Sequence, residues 1–229
     1  MRRFQIPHNV IRNPKISHNA IYLYMILKTM TASQTVNAYS TSILEKAQWK
    51  DRRTLKKYLE ELKKLELVSY PYNNFPINKT LTIKIISIPN GEYFTQVDEF
   101  TIQKIIDLST NTKVETDINQ LNHTKKTLDL KEMAIRLFYY YESYYNKEFK
   151  IAFPSYRTIN LETKISNIYI KSLNYLFNIN GLVIVNQGKK KNNNERGNNT
   201  YIPVCNRKEN KIQNKQNKKE SDGENIESE

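Results

Sequence analysis

The spacing of apolar residues predicts three helices in the first third of the chain. The first helix follows Ser17, a residue type that caps helix N-termini, and its apolar positions recur every three or four residues from 20 to 27. After a polar connection, residues 40–47 predict a short helix capped by Ser40 or Thr41, and a tight turn follows it. Asp51 then caps a longer helix, DRRTLKKYLEELKKLEL. Its predicted buried stripe consists of Leu55, Leu59, Leu62 and Leu65.

Two strand-like segments come after the long helix. Residues 68–72 lead into a turn, and residues 81–88 alternate leucine and isoleucine with threonine and lysine, so the two segments predict a β-hairpin. A helix, a short helix, a turn, a longer helix and a hairpin, in this order, are the elements of a winged helix-turn-helix.

The same order of elements occurs a second time. Residues 130–146 predict an amphipathic helix, and Ser155 and Ser166 predict the caps of a short helix and a longer one. A glycine at 181 predicts the end of the longer helix. Two further strands, over 182–185 and 201–204, are then expected to bracket a basic loop.

The two copies superimpose without a gap at an offset of 115 residues. This offset places Asp51 on Ser166, so that predicted caps coincide, and it places the inward-facing Leu55 on Ile170. The agreement continues over about 30 residues, as an internal repeat of the architecture requires. We therefore expect an α+β fold, mainly α with small β-wings, built from two tandem winged helix-turn-helix domains.

The rest of the chain sets the expected domain limits. Residues 94–109 predict a short strand and a helix that open the second unit, and residues 110–129 predict a long loop or a partly helical connector. From 206 onward apolar residues nearly vanish, which predicts a disordered charged tail. The expected domains are therefore 1–92 and 93–205, followed by the tail 206–229.

Charge and composition narrow the classes of function. The chain has 36 Lys and Arg against 23 Asp and Glu, a net charge of +13, which favours a polyanionic partner such as nucleic acid. Its five glycines cannot form either common phosphate-binding loop. No apolar run approaches the roughly 18 residues of a membrane span, no signal peptide is evident, and Cys205 is the one cysteine. We expect a cytoplasmic protein without a membrane partner.

The early, outward positions of the first long helix are the first candidates for DNA contact. In a winged helix this element lies in the major groove, where arginine can bridge guanine O6 and N7 and lysine can contact phosphates. Cations in the N-terminal half of a helix are disfavoured by the helix dipole, and a bound anion would remove that penalty. The candidate residues are Arg52, Arg53, Thr54, Lys56 and Lys57.

The second copy distributes its candidates differently, with less charge on the long helix and more in the wing. The expected groups on the helix are Asn167, Tyr169, Lys171, Ser172 and Asn174. The expected groups in the wing, which can reach a neighbouring backbone or minor groove, are Lys189, Lys190, Lys191 and Arg196.

Catalytic chemistry is not indicated. The tyrosines at 139–141 and 144–145 raise the question of a tyrosine nucleophile, but the three histidines, His8, His18 and His123, are dispersed, and a nicking enzyme needs a histidine pair for its metal. Packing is the expected role of the tyrosines. We expect no catalytic residue, metal or cofactor, and no enzymatic activity.

Several of these segments together resemble a known group of proteins. Ile6-Pro7, SHNAIYLYMIL, the spacing from Ser40 to Asp51 and LKKYLEELKKLELV resemble the N-terminal winged helix of plasmid and phage replication initiators, of the RepA N-terminal type and its DnaD-like relatives in low-GC Gram-positive bacteria. The basic wing that ends in Asn-Thr-Tyr201 is similar to wings of the same proteins. One departure is Glu66-Leu67, where Gly-Leu is usual.

Three functions are consistent with these observations. The resemblance implies an initiator of plasmid or mobile-element replication that binds repeated double-stranded sites at its origin. A homodimer and host replication proteins are further expected partners. The alternative within the same class is a winged-helix transcriptional repressor without a replication role. A third hypothesis, from another class, is an interaction scaffold that uses the tyrosine-rich helix over 130–146 as its partner surface.

Overall fold

The structure, a computed structural model, describes residues 2–73, 76, 79–111, 130–188, 190–191, 195–196 and 199–204. Over these residues the chain has a mixed α/β architecture in which helices predominate and the strands form small antiparallel sheets. The predicted α+β class is therefore confirmed at this level. No helix in the described ranges combines the length and the apolar character needed to cross a bilayer.

The first half of the chain builds helices around a three-stranded sheet. The strand order is β2-β4-β3, with Val36 opposite Ile83 and Val68 opposite Ile85, so that the predicted hairpin is confirmed with shorter strands. The elements are β1 (Arg3–Pro7), α1 (His8–Ile11), α2 (His18–Thr29), β2 (Thr35–Tyr39), α3 (Ser40–Ala47), α4 (Arg52–Lys64), β3 (Val68–Ser69) and β4 (Thr80–Ile85).

The second half repeats this succession with a smaller sheet. Strands β6 and β9 pair, and Ala152 forms an isolated bridge with Tyr201, on β9, in the place that β2 takes beside β4. The elements are β5 (Phe94–Asp98), α5 (Glu99–Asn111), α6 (Lys131–Ser143), α7 (Tyr156–Thr163), α8 (Asn167–Ile179), β6 (Val183–Asn186), β7 (Lys190–Lys191), β8 (Glu195–Arg196) and β9 (Thr200–Pro203).

The two halves share a sheet and a core. Strand β1 pairs antiparallel with β5, with Phe4 opposite Val97, and helix α2 packs against α6. Both α2 and α6 are buried on nearly all faces, and apolar residues of both halves form one cluster. Burial of this apolar surface from both halves is the main force that holds them together.

Arg136, on α6, ties this core to the first half through its buried guanidinium. Its Nη1 donates to the carbonyl of Ile16 at 2.7 Å, and its Nη2 donates to the carbonyl of Asn13 at 2.7 Å. Further bonds reach the carbonyls of Ile11 at 3.1 Å and Glu162 at 3.2 Å. Since a buried cation is costly unless its donors are satisfied, this set of carbonyls is what allows an arginine at 0% exposure.

Several predicted helix caps are confirmed and others are wrong. The side chains of Ser17, Asp51 and Ser155 accept hydrogen bonds from the backbone of their helices, as predicted. Helix α3, however, begins at Ser40 itself: Tyr39 is the N-cap, and the serine is a buried helical residue. Ser166 occupies the N-cap position of α8, but its side chain makes no cap hydrogen bond.

The 115-residue offset is reproduced in the backbone. Helices α4 and α8 each have 13 residues and begin and end at equivalent positions. After them, Glu66 and Gly181 both adopt a left-handed conformation, with φ of 56° and 63°. In both turns the next residue bonds back to the helix: Leu67 N donates to Leu62 O, and the amide after Gly181 donates to Phe177 O.

The structure also departs from the sequence-based expectations. The polar connection before α3 contains strand β2, whose only fully inward residue is Val36, too weak a pattern to predict a strand. The sequence pattern does not predict strand β1 either. Helix α6 is buried on all sides rather than amphipathic, with Tyr139, Tyr140 and Tyr141 at 0% exposure, because α2 and α5 cover it.

Two predictions fall on residues outside the described ranges. The expected connector over 110–129 is described only in its first two residues, which end α5. The expected disordered tail, 206–229, lies wholly outside the described residues.

Candidate nucleic-acid interface

Helix α4 presents one face to the core and the other to solvent. Its inner face consists of Leu55, Leu59 and Leu62, each at most 1% exposed, while Leu65 is only half-buried at the C-cap. The Asp51 side chain accepts the amide of Arg53 at 2.8 Å, which starts the helix at the position that the sequence predicts.

The basic residues of α4 lie on the solvent side, as predicted. Arg52, Arg53 and Lys57 are exposed, and Thr54 and Lys56 are half-buried. Lys56 pairs with Glu60 at 3.8 Å, a long surface contact that contributes little energy. The structure thus brings all five predicted residues of the first unit to the first two turns of one helix.

The contacts of Arg52 and Arg53 within the protein leave both guanidinium groups available to an external anion. Among the described residues, the guanidinium of Arg52 reaches only a backbone carbonyl, that of Pro76, at 3.4 Å. Among the same described residues, the guanidinium of Arg53 forms no hydrogen bond and no ion pair. The two guanidinium groups therefore keep donors for an external anion, and arginine is the residue suited to bidentate contacts with phosphate or guanine.

One acidic residue of α4 is turned away from the basic face. Glu61 accepts hydrogen bonds from the backbone amide and the hydroxyl of Ser17, each at 2.7 Å, and so supports the start of α2. Helix α4 contains six basic and two acidic residues, and with Glu61 engaged internally only Glu60 opposes the basic charge on the outer face. The first turn itself contains no acidic residue, and the carboxylate at this end of the helix is that of the N-cap, Asp51.

Trp49 fixes the base of α4, a role that the sequence pattern does not predict. Its ring lies between those of Tyr22 and Tyr58, at centroid distances of 5.8 and 5.5 Å. Its indole Nε1 donates to Glu132, on α6, at 2.9 Å. The turn before α4 is therefore anchored to both halves. The one signal in the sequence is a single tryptophan within a polar turn.

The equivalent helix of the second unit, α8, carries fewer groups that can contact a nucleic acid. Asn167 and Lys171 are exposed, as expected, whereas Tyr169 is half-buried against the core. The prediction for Asn174 is wrong: this residue is 4% exposed and accepts a 2.7 Å hydrogen bond from the Tyr141 hydroxyl. The hydroxyl of Ser172 donates back to the helix at Ile168 O, 3.1 Å away.

The wing of the second unit is described in part. Strands β7 and β8 pair, with Lys190 opposite Arg196 and Lys191 opposite Glu195, so that the hairpin continues beyond β6 and β9. The side chains of these residues, and Lys189 as a whole, lie outside what the structure describes. Their expected role in DNA contact stays a prediction.

The outer face of α8 carries an apolar stripe next to the exposed polar residues Asn167, Lys171 and Asn178. The sequence-based prediction of polar contacts there does not include this stripe. Ile168 is 53% exposed, Tyr175 68% and Ile179 58%. Together with Ser172 they follow each other at intervals of four, three and four residues, a spacing that places all four on one side of a helix. The core-facing positions of the same helix, such as Ile170 and Phe177, lie opposite.

Burial favours the neutral forms of a histidine and two tyrosines of the interior. Burial, with the charge of Arg136 beside it, lowers the pKa of His18 to about 4. Burial raises the pKa of Tyr201 to about 12, and it raises the pKa of Tyr140, whose hydroxyl donates to Glu162 at 2.9 Å. Within the described residues, no three His, Cys, Asp or Glu side chains gather as metal ligands would.

No family model matches the chain, and no curated protein gives a significant match. The candidate interface therefore stands on geometry and charge alone.

Proposed function

We propose that the protein binds double-stranded DNA through two winged-helix units and that α4 is the recognition helix. The order helix, strand, helix, helix, strand, strand around the sheet β2-β4-β3 supports this interpretation of the first half. The repeated order in the second half, with the Ala152–Tyr201 bridge in place of a full strand, supports it there.

The observation that carries the proposal is the outer face of α4. It presents Arg52, Arg53 and Lys57 to solvent in the first two turns, on a helix held from behind by Trp49 and capped by Asp51. A recognition helix uses such N-terminal outward residues to contact base edges and phosphates. The two arginines suit guanine or phosphate, and the lysine suits phosphate.

Within this class, a replication initiator of a plasmid or mobile element is our first proposal, supported by the resemblance of the first unit to such initiators. A transcriptional repressor would use the same contacts. The two differ in their sites: an initiator binds iterated repeats at its origin, whereas a repressor binds an operator at a promoter. The pattern of protected sites distinguishes them, since an initiator protects regularly spaced repeats and a repressor protects a single site.

The experiment is a DNA titration across a salt series. The full chain is titrated onto its own upstream and coding DNA and onto a scrambled duplex, next to Arg53→Ala/Lys57→Ala. We expect the variant to lose specific affinity and to lower the salt slope by about 2, at roughly 0.9 for each phosphate that the variant no longer neutralises.

A matched control removes the same charge elsewhere. Lys15 and Lys147 are exposed and lie outside α4, so Lys15→Ala/Lys147→Ala should change the slope much less. Equal losses in the two double variants would show that net charge alone governs binding and would contradict the recognition-helix assignment. Footprints of the wild type then separate repeated origin sites from a single operator.

A further inference from the structure

The outer face of α8 is an apolar stripe on the solvent side of a basic protein. Ile168, Tyr175 and Ile179 are each more than half exposed, and Ser172 lies between them. The stripe spans 12 residues, about 16 Å along the helix axis. Large apolar side chains that adjoin one another on a surface mark an interaction site, whereas scattered ones do not.

The equivalent positions of α4 have the opposite character. At the offset of 115 residues, Ile168, Ser172, Tyr175 and Ile179 correspond to Arg53, Lys57, Glu60 and Lys64, all exposed. The two helices thus share their inner packing but differ in what their outer faces attract. A nucleic acid is disfavoured on α8, since Lys171 is the only charged residue in that helix.

The stripe is complementary to itself in an antiparallel arrangement. A two-fold axis midway between residues 173 and 174 places Ile168 opposite Ile179 of the second copy, and it places Ser172 opposite Tyr175 of the second copy. Isoleucine meets isoleucine at both ends, and the smallest side chain of the stripe meets the largest at the centre. The Ser172 hydroxyl is already bonded to the backbone, so covering it leaves no donor unsatisfied.

Charge also favours this surface for self-association. Two chains of net charge +13 repel each other, and their approach is least unfavourable where each presents little charge. Helix α8 contains one charge, whereas α4 contains eight. We propose that the protein forms an isologous dimer in which α8 packs antiparallel against α8 of a second copy, through Ile168, Ser172, Tyr175 and Ile179. This inference does not depend on DNA binding.

The first test measures oligomeric state without DNA. Sedimentation velocity of the full chain over a concentration series should show a monomer–dimer equilibrium with a roughly micromolar dissociation constant, because one helix pair is a small interface. Tyr175→Lys and Ile168→Lys should each raise this constant by about tenfold or more, since each would bury an unpaired charge.

A matched control places the same charge on another exposed aromatic residue. Tyr93 is 80% exposed and stacks on His8, in the first half, so Tyr93→Lys should leave the dimer unchanged. All three substituted side chains are at least half exposed, so the fold should persist, which thermal unfolding followed by circular dichroism checks. A monomeric wild type at every concentration, or a dimer that withstands both α8 variants, overturns the proposal.

The second test determines the register. In a Cys205→Ser background, Ile168→Cys protein is mixed with Ile179→Cys protein and treated with a short bis-maleimide. Antiparallel packing predicts that the mixture crosslinks more than either protein alone. Preferential linkage of Ile168→Cys to itself would indicate a parallel pair and contradict the proposed geometry. If the α8 lysine variants instead change DNA affinity and leave self-association intact, α8 is a nucleic-acid surface and the dimer assignment fails.

Discussion

Helices α4 and α8 are two versions of one element, and they differ almost entirely on one side. Both have 13 residues, follow a turn with a left-handed residue, and end in equivalent left-handed positions, at Glu66 and Gly181. Both bury an apolar inner face against the shared core. Yet the outer face of α4 is basic, and that of α8 carries an apolar stripe beside one lysine and two asparagines.

This contrast distinguishes the positions that packing constrains from the positions that are free to differ between the two helices. Inner positions are constrained by packing, since a void or an overlap there costs free energy in either half. Outer positions meet only solvent or a partner. The same backbone can therefore present Arg53 to a polyanion in one half and Ile168 to an apolar surface in the other.

The largest expected effect concerns the buried inner faces, which α4 and α8 share. Leu55→Ala and Ile170→Ala remove equivalent buried side chains, each at most 1% exposed. Each should lower the free energy of unfolding by about 2–5 kcal/mol, because each leaves a cavity in the core. Urea unfolding followed by circular dichroism measures both. A cost near zero for one of the two would show that the inner faces are not equivalent.

The pH dependence of stability is the second test of the comparison. Both histidines in the described ranges, His8 and His18, belong to the first half. The pKa of His18 lies at about 4 in the fold, against 6.5 ordinarily, because burial and then Arg136 disfavour its charge. The unfolded chain therefore binds a proton first. The contribution of His18 to stability is complete above about pH 6.5 and is lost as the pH falls towards 4.

The expected loss between pH 7 and pH 5 is roughly 1–2 kcal/mol. Urea midpoints at the two pH values measure it, and His18→Gln should reduce the difference. His8→Gln is the comparison variant, since the pKa of His8 is also lowered, first by burial and then by Arg12. An unchanged pH dependence in His18→Gln would contradict the assignment.

A third test moves positive charge from the outer face of α4 to the outer face of α8. In the Arg53→Ala/Lys57→Ala background, adding Ile168→Arg and Ser172→Lys moves the same two charges to the equivalent positions of α8. We expect non-specific DNA affinity to recover by about tenfold, with a salt slope steeper by about 2, while sequence specificity stays lost. Anisotropy titrations measure all three. No recovery would mean that the position of α4, and not its charge alone, governs binding.

The smallest expected effect lies at the ends of the two helices. Glu66 has a φ of 56°, a conformation that costs a side-chain residue free energy, so Glu66→Gly should stabilise the fold by about 0.5–1 kcal/mol. Gly181→Ala should destabilise it by about 1 kcal/mol, since an added Cβ meets no atom within 4 Å and only the backbone conformation opposes it. Urea midpoints of the pair should move in opposite directions, and shifts of the same sign would contradict this explanation.

The helices of this fold can be predicted from the sequence because their inner faces follow a regular spacing. The residue limits of α4 and α8, the cap at Asp51 and the 115-residue offset are local patterns. Strands β1 and β2 cannot be predicted in this way, because each has five residues and is defined by a distant partner, β5 or β4. The burial of Tyr139–Tyr141 likewise depends on which helices cover α6.

In the candidate site, too, some residues can be placed from the sequence and others cannot. The basic residues of α4 can be placed from helical spacing alone, since Leu55 fixes which side faces inward. Trp49 and Asn174 cannot, because their roles arise from hydrogen bonds with Glu132 and Tyr141, 83 and 33 residues away in sequence. Spacing shows which side of a helix is exposed, but it does not show what an inward polar group contacts.

Arg136 determines how the chain would behave if it were divided into two fragments. It belongs to the second half, yet three of the carbonyls that hold its guanidinium, at Ile11, Asn13 and Ile16, belong to the first. A fragment that ends before residue 112 would lose the cation that joins these carbonyls, and a fragment that begins after 129 would keep a buried charge without most of its acceptors. The two fragments would therefore be a reconstitution pair, each incomplete alone and folded when mixed.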